Sequence, residues 1–219
     1  MTPELAARIV ADSRDRVAWI RARSRGITAT DVAALTSERA IAKAADQKLG
    51  GGARFSGNAY TAHGRLREPE IAAWVAATHG IQPSSALFHA TVEKRHLATP
   101  DGVTVDGQGR VTLAEIKTTN KAWRSIPRSY LRQVWWQQHV LGAERTLVTW
   151  EVHDGFVPVD DEPRCQWVDR DEREIDALVG LATALIDELH RRTMHARQGA
   201  APAPPPPPRE AFRALALAE

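Results

Sequence analysis

Two short motifs near the middle of the chain carry the residue types that hydrolytic chemistry needs. A Thr-Pro-Asp motif ends at Asp101, and a Glu-Ile-Lys motif runs from Glu115 to Lys117, with a glycine-rich turn between them. If the flanking strands form a hairpin centred on Gln108, the register sets Asp101 opposite Glu115 and Thr99 opposite Lys117. Alternate residues of a strand share a face, so these four side chains are predicted to project from one side of the hairpin.

This placement predicts a site for a divalent cation. Opposed side chains in a hairpin have Cβ atoms roughly 4.5–5.5 Å apart, and two carboxylates at that distance repel each other. A cation replaces the repulsion with two oxygen ligands, and hard oxygen ligands favour Mg²⁺ or Mn²⁺ over zinc. Lys117 adds an ammonium that can orient a water or stabilise phosphate charge. The chemistry indicated is metal-assisted phosphodiester hydrolysis; the alternative is a surface hairpin with a Glu115–Lys117 ion pair and a turn aspartate.

The elements that must position these motifs predict a mixed α/β domain. Apolar spacing predicts helices over residues 3–25 and 58–79, the second with Leu66, Ile71, Trp74 and Val75 on its buried side. Thr28 or Thr30 can cap a short helix between them. Strands follow over 87–93 and in the hairpin, then a helix over 127–141 that Gly142 can end. Two more strands at 145–152 and 156–159 precede a long last helix, which Asp169 can cap.

Composition predicts a soluble, cytosolic protein (the host cytoplasm if the chain is viral). The 219 residues are 43% hydrophobic and 26% charged, and no apolar run approaches the roughly 18 residues of a membrane span. The single cysteine, Cys165, excludes an internal disulfide and an iron–sulfur cluster held by four protein thiolates. Residues 200–208 contain only Ala and Pro, so we predict one domain over 1–197 and a disordered proline-rich tail over 198–219.

A run of positive charge follows the hairpin. Residues 116–143 contain no acidic side chain, and the cations within them are Lys117, Lys121, Arg124, Arg128 and Arg132. Although the formal net charge is only +2, this local field suits a phosphate backbone. The alternative is a solvated basic helix face. Of Trp135 and Trp136 in the same segment, one is predicted to pack into the core rather than to stack on bases.

Five motifs occur in an order that resembles a known family. They are Trp19 with Arg23 and residues 26–31 (GITATD), residues 64–68 (GRLRE), residues 97–102 (LATPDG), residues 115–117 (EIK) and residues 130–134 (YLRQV). Together they resemble the YqaJ-like viral recombinase family, the group that contains bacteriophage lambda exonuclease, within the PD-(D/E)XK nuclease superfamily. The resemblance covers about residues 17–190. It implies the restriction-endonuclease-like core, with a central mixed sheet flanked by helices.

The resemblance also implies a role for each matching residue. Asp101 and Glu115 would bind the metal, with the Ile116 carbonyl as a further ligand, and Lys117 would be the catalytic lysine. Glu68 would complete the acidic site, directly or through water, and Gln133 would be the family's glutamine on the following helix.

Three further positions correspond to contacts with the DNA end. Arg23 and Thr30 match positions that hold a terminal 5′-phosphate in such exonucleases, and Thr99 matches a nearby hydroxyl. Thr30 and Thr99 stand where serine is usual, which keeps the hydroxyl and adds a methyl group. Outside the motifs, Lys121, Arg124 and Arg128 are the predicted contacts to the DNA backbone.

The activity that the resemblance implies is a Mg²⁺-dependent exonuclease, with Mn²⁺ able to substitute. It would digest double-stranded DNA in the 5′→3′ direction and leave a single strand for an annealing protein. A ring-shaped homotrimer that retains the duplex is also implied. The alternatives are an endonuclease or defence nuclease with the same site, or a DNA-binding module without catalysis.

Overall fold

The computed structural model describes residues 1–50 and 58–199. The predicted tail lies outside them from residue 200 onward. The described helices are α1 (Pro3–Ala6), α2 (Arg16–Ser24), α3 (Ala29–Ala34), α4 (Glu38–Lys48), α5 (Ala59–His79), α6 (Arg128–Leu141) and α7 (Glu172–Gly199).

The strands form two sheets. They are β1 (Ile9–Asp12), β2 (Ile27–Thr28), β3 (Gln82–Pro83), β4 (Ala86–His89), β5 (His96–Ala98), β6 (Gly102–Val105), β7 (Val111–Thr119), β8 (Arg145–Asp154), β9 (Val157–Pro158) and β10 (Arg164–Asp169). The smaller sheet has the order β1-β4-β5-β2, and the larger has the order β10-β8-β7-β6-β3 with β9 paired to β8. Because β7 and β8 are parallel, helix α6 makes the crossover between them. The mixed α/β fold is as predicted.

The central hairpin has the predicted register but is shorter than predicted. Gly102 pairs with Ala114 and Val105 with Val111, which is the register centred on Gln108. The strand predicted on the N-terminal side of the hairpin turn is wrong in its first half, because His96–Ala98 belongs to the smaller sheet as β5. Thr99 therefore does not pair with Lys117. Pro100, which has no N–H to donate to a ladder, stands where the chain passes from one sheet to the other.

The predicted helix over residues 3–25 is also wrong, because its middle is a strand. Ile9–Asp12 pairs antiparallel with β4, and the side chain of Asp12 accepts hydrogen bonds from Arg14 and from the Ser85 hydroxyl. Pairing with a strand more than 70 residues away overrides the local helical pattern here.

Helices cover both faces of the larger sheet at its centre. On one face, Ile71 and Val75 of α5 pack against Ala114 and Ile116 of β7. On the other, Leu113 packs in the larger core formed mainly with α6 and α7. Glu115 and Lys117 share the face of Leu113 because alternate strand residues point the same way. The face of β7 that carries the site therefore looks toward α6.

Several side-chain predictions can be compared with this core. One of Trp135 and Trp136 is expected in the core, and both are buried; Trp136 donates from its indole to the Leu97 carbonyl at 3.0 Å. Leu66 is not on the buried side of α5, because its side chain is 78% exposed. Gly142 ends α6 with a φ of +75°, as predicted.

The end of the domain differs from the prediction in two respects. The unpredicted strand β10 contains Asp169, so this residue does not cap the last helix. Asp171 accepts from the backbone N–H of Glu174 at 3.2 Å in its place. Helix α7 continues to Gly199, two residues past the predicted domain end. None of the described helices combines the length and apolar character that a membrane crossing requires.

Candidate active site

Asp101 and Glu115 lie at the end of the hairpin where the two sheets meet. The backbone N–H of Asp101 donates to the Ala114 carbonyl at 3.1 Å, which places Asp101 just before β6 and across from Glu115. Its Oδ2 accepts from the backbone N–H of Ile116 at 2.7 Å. Burial and the charge of Glu115 raise the pKa of Asp101 well above its ordinary value. The predicted carboxylate pair is therefore present, and its members repel each other.

Glu115 is nearly enclosed and is held by two donors. Only 3% of the residue is exposed. Its Oε1 accepts from the Lys117 ammonium, and its Oε2 accepts from Gln137 Nε2 at 2.6 Å. Burial alone would lower the pKa of Lys117, but Glu115 and Asp101 together raise it above its ordinary value. Lys117 is thus a cation at neutral pH, positioned between the acidic groups.

Glu68 reaches the same place from α5. Desolvation in the cleft and repulsion by Glu115 raise its pKa, against the opposing effect of Lys117. The next residue, Pro69, lies inside the helix and lines the cleft beside it. A proline at this position removes one backbone hydrogen bond of α5 and so destabilises the helix locally, next to the acidic cluster.

One cleft of about 450 Å³ brings together most of the predicted residues. Its lining includes Arg23, Thr30, Glu68, Thr99, Asp101, Glu115, Lys117 and Gln133. A second opening of about 430 Å³ shares Glu68, Lys117 and Gln133 and is bordered by Ile116, Tyr60 and Tyr130. The acidic cluster therefore lies between two mouths, one bordered by Arg23 and the other by the two tyrosines.

Arg23 is held in the cleft by an aromatic ring. Its guanidinium lies 4.3 Å from the centroid of the Trp19 ring, and the Trp19 indole donates to Thr99 Oγ1 at 3.2 Å. Desolvation lowers the pKa of Arg23. Thr28, rather than Thr30, caps α3 through a capping box with Asp31, so the Thr30 hydroxyl is not used for capping and lines the cleft.

The cations of the basic run have different surroundings and do not form one continuous exposed surface. Lys121 and Arg124 are exposed, but neither they nor Arg128 line the cleft. Arg128 forms an ion pair with Glu174 at 2.6 Å and lies 5.0 Å over the Trp135 ring. Arg132 donates to the carbonyls of Val32 and Leu35 and so joins α6 to α3. Only part of the predicted positive field is therefore available to a nucleic acid.

Sequence reasoning missed Gln137. This residue is 3% exposed, lines the cleft and contacts Glu115 directly. The available signal was its spacing, because Gln137 lies four residues after Gln133, and side chains at that spacing share one helix face.

The donor set fits a hard divalent cation. Two carboxylates face each other, and burial together with the charge of Glu115 raises the pKa of Asp101; a cation would relieve the repulsion. Among the described residues, no group of three His, Cys, Asp or Glu side chains is placed to hold a metal ion. The pair of carboxylates is the feature that fits Mg²⁺, which is usually bound through one or two carboxylates. Asp101 and Glu115 are the residues that would hold it, with Glu68 beside them.

The fold and the order of these acidic groups define the PD-(D/E)XK nuclease class. Residues 18–144 match the family model described as the YqaJ-like viral recombinase domain. Since the match covers more than half of the chain, the protein belongs to the YqaJ-like viral recombinase family. This membership supports a nuclease role. Among curated proteins, none shows significant sequence similarity to the chain.

Solved structures share the fold at low sequence identity. The alkaline exonuclease LHK-Exo from Laribacter hongkongensis is 21% identical with a TM-score of 0.65, and the alignment covers 82% of this chain and 95% of that one. The same enzyme in complex with dAMP is similar at 22% identity with the same TM-score and coverage. A phage-related exonuclease from Haemophilus somnus 129PT is 13% identical with a TM-score of 0.58, over 77% of this chain and 96% of that one.

Proposed function

We propose that this protein is a Mg²⁺-dependent exonuclease that digests double-stranded DNA from a 5′ end. The observation that carries the proposal is the single cleft, in which Asp101, Glu115 and Lys117 lie together with Arg23. The first three residues suit phosphodiester hydrolysis, and a guanidinium in the same cleft suits a terminal phosphate. Membership in the YqaJ-like viral recombinase family supports the reaction class.

The residues divide the chemistry between them. The cation supplies charge stabilisation at the scissile phosphate when it is bound. Asp101 and Glu115 hold it. Lys117, fixed against Glu115, orients a water or stabilises the developing negative charge on the phosphate. Glu68 and Gln133 border both mouths of the cleft and so can orient water and the substrate strand.

The position of Arg23 supports the proposed direction of digestion. Its guanidinium can grip a phosphate dianion through two parallel hydrogen bonds, and the hydroxyls of Thr30 and Thr99 stand in the same cleft. A terminal 5′-phosphate bound there would bring the next phosphodiester toward the acidic cluster. Digestion in the 5′→3′ direction is the outcome that this arrangement favours.

The proposed biological setting is recombination. A family of viral recombinases fits an exonuclease that leaves single strands for an annealing protein. We further propose a cytoplasmic location and a homotrimeric ring that would retain the duplex between cleavage events. Mn²⁺ is expected to substitute for Mg²⁺, since both accept hard oxygen ligands.

The deciding experiment compares linear and covalently closed duplex DNA, each with and without Mg²⁺. Digestion of linear DNA alone, and only with the metal, supports the proposal. Cutting of closed circles would indicate an endonuclease in its place. Retardation of DNA in a gel without cleavage under any metal would indicate a binding module. Labelling either the 5′ or the 3′ end then gives the polarity.

A further inference from the structure

Gln137 is buried at the acidic cluster with only part of its hydrogen-bonding capacity used. Its Nε2 donates to Glu115 Oε2 at 2.6 Å, whereas its Oε1 is buried and has no partner among the described residues. A buried amide oxygen left without a donor destabilises the folded state. Gln138 Oε1 is likewise buried without a partner among the described residues, so the feature that distinguishes Gln137 is its place in the lining of the cleft.

The two contacts of Glu115 divide its oxygens between different partners. Lys117 holds Oε1 and Gln137 holds Oε2, so the plane of this carboxylate is fixed from both sides. The Lys117 contact joins residues of one strand, whereas the Gln137 contact joins β7 to α6. Gln137 is therefore the connection that fixes Glu115 relative to a different element of the fold.

The neighbouring residue supplies a comparison within the same helix. Gln138 is fully buried and donates to Thr146 Oγ1 at 3.0 Å and to the Val168 carbonyl at 2.9 Å. Its contacts lie on β8 and β10, and it does not line the cleft. Two adjacent buried glutamines thus point to different places, one to the acidic cluster and one to the packed sheet.

We propose that Gln137 is a positioning residue for the metal site. Its Nε2 orients the Glu115 carboxylate toward the cation. The inference rests on the proposed function, because it assigns to Gln137 a part in the metal-dependent reaction. Groups that orient a metal ligand typically change metal affinity or activity by 10- to 100-fold when they are replaced.

The test replaces Gln137 with Met, which keeps the volume and removes both polar atoms, and uses Gln138→Met as the matched control. Mn²⁺ binding is measured by calorimetry without DNA, and the Mg²⁺ concentration for half-maximal cleavage is measured separately. Gln137→Met should weaken Mn²⁺ binding and raise the half-maximal Mg²⁺ concentration by about 10-fold or more. Gln138→Met should lower the thermal midpoint and leave both metal measurements unchanged.

A second variant and a measurement on the parent protein cover the case in which Gln137→Met fails to fold. Gln137→Asn keeps the amide but shortens its reach by one carbon, so it should show the same loss of metal affinity. In the parent, addition of Mg²⁺ should shift the side-chain amide NMR signal of Gln137 and leave that of Gln138 in place.

The outcomes separate this inference from the proposed function. Unchanged Mn²⁺ affinity in folded Gln137 variants, or an unshifted Gln137 amide signal while the parent cleaves DNA with Mg²⁺, overturns the role of Gln137 alone. A parent protein that neither binds Mn²⁺ nor cleaves DNA overturns the proposed function and this inference together.

Discussion

The guanidinium of Arg23 lies over the indole ring of Trp19, 4.3 Å from the ring centroid. The same indole donates its N–H to Thr99 Oγ1, so one tryptophan connects two of the residues at this mouth of the cleft. An aromatic face attracts a cation without neutralising it. The Arg23 charge is therefore positioned and remains available for an anion.

This relationship predicts a preference for 5′-phosphorylated ends. Duplex DNA with a 5′-phosphate should be digested faster than DNA with a 5′-hydroxyl, because a desolvated guanidinium without an anion is costly. Arg23→Ala should largely erase the preference, and Trp19→Phe, which keeps a ring but loses the bond to Thr99, should reduce it only partly. The digestion rates of 5′-phosphorylated and 5′-hydroxyl duplex DNA, measured for the parent and both variants, test this prediction. A parent without preference, or an Arg23→Ala variant that keeps it, would remove Arg23 from the site.

Replacement of the two facing carboxylates should lower cleavage in both cases but should change the stability of the protein differently. Asp101→Asn and Glu115→Gln should each lower cleavage by at least about 100-fold, because each variant loses a charged cation ligand. Asp101→Asn should leave the metal-free protein as stable or more stable, since it removes repulsion at a carboxyl whose pKa is raised.

Glu115→Gln should be destabilising, because it breaks the buried ion pair with Lys117 and leaves that ammonium with Asp101 as its remaining close anion. Loss of one partner of such a pair costs about 3–5 kcal/mol, toward the lower end here because the Lys117 side chain is 22% exposed. Thermal unfolding without metal measures both effects. Equal destabilisation by the two variants would contradict the asymmetry.

Lys117→Ala should act on the rate rather than on binding. We expect a loss of about 100- to 1,000-fold in single-turnover cleavage, because the ammonium is fixed beside the acidic cluster where charge develops. The DNA affinity, measured with Ca²⁺ in place of Mg²⁺, should change little, since one phosphate contact is a small part of the total. Lys121→Ala is the control on rate. Equal losses in binding and rate would make Lys117 an electrostatic contact only.

The basic segment should contribute to binding unevenly. Replacing both Lys121 and Arg124 with Ala should lower the salt dependence of duplex binding by up to ~1.8 in log–log slope if each contacts one phosphate. Arg128→Ala should change the slope less, because Glu174 already pairs with its charge. Titrations at several salt concentrations measure the slopes. A larger change for Arg128→Ala than for the double variant would contradict this ranking.

The buried His96, which contacts His139, should make the fold sensitive to acid. Burial, together with the neighbouring His139, lowers the pKa of His96 to about 4, and the two rings are 3.1 Å apart from His96 Nδ1 to His139 Nε2. An unfolded chain, with a histidine pKa near 6.5, then binds the proton more readily than the native state. Stability should therefore fall as the pH drops from about 6.5 toward 4, by up to about 3 kcal/mol.

His96→Gln should flatten this dependence, since it removes the group that is protonated only on unfolding. The free energy of unfolding, measured with denaturant between pH 4.5 and 7.5, tests the prediction. An unchanged slope in the variant would assign the acid sensitivity to other groups.

The sequence by itself determined the features that depend on near neighbours. The register that sets Asp101 across from Glu115 follows from a turn centred on Gln108, because a hairpin fixes pairing through the length of its loop. The helix that ends at Gly142 and the burial of Trp136 follow from local spacing in the same way. The ordered motifs were sufficient to predict the family.

Only the tertiary structure decided which distant residues meet. It divided one predicted strand between two sheets, turned residues 9–12 from helix into strand, and neutralised Arg128 with Glu174. It also brought Gln137 onto Glu115. Gln137 and Glu115 are 22 residues apart, and Ile9 lies 79 residues before its partner Phe88; the energies of such long-range pairs leave no periodic signal in the local sequence.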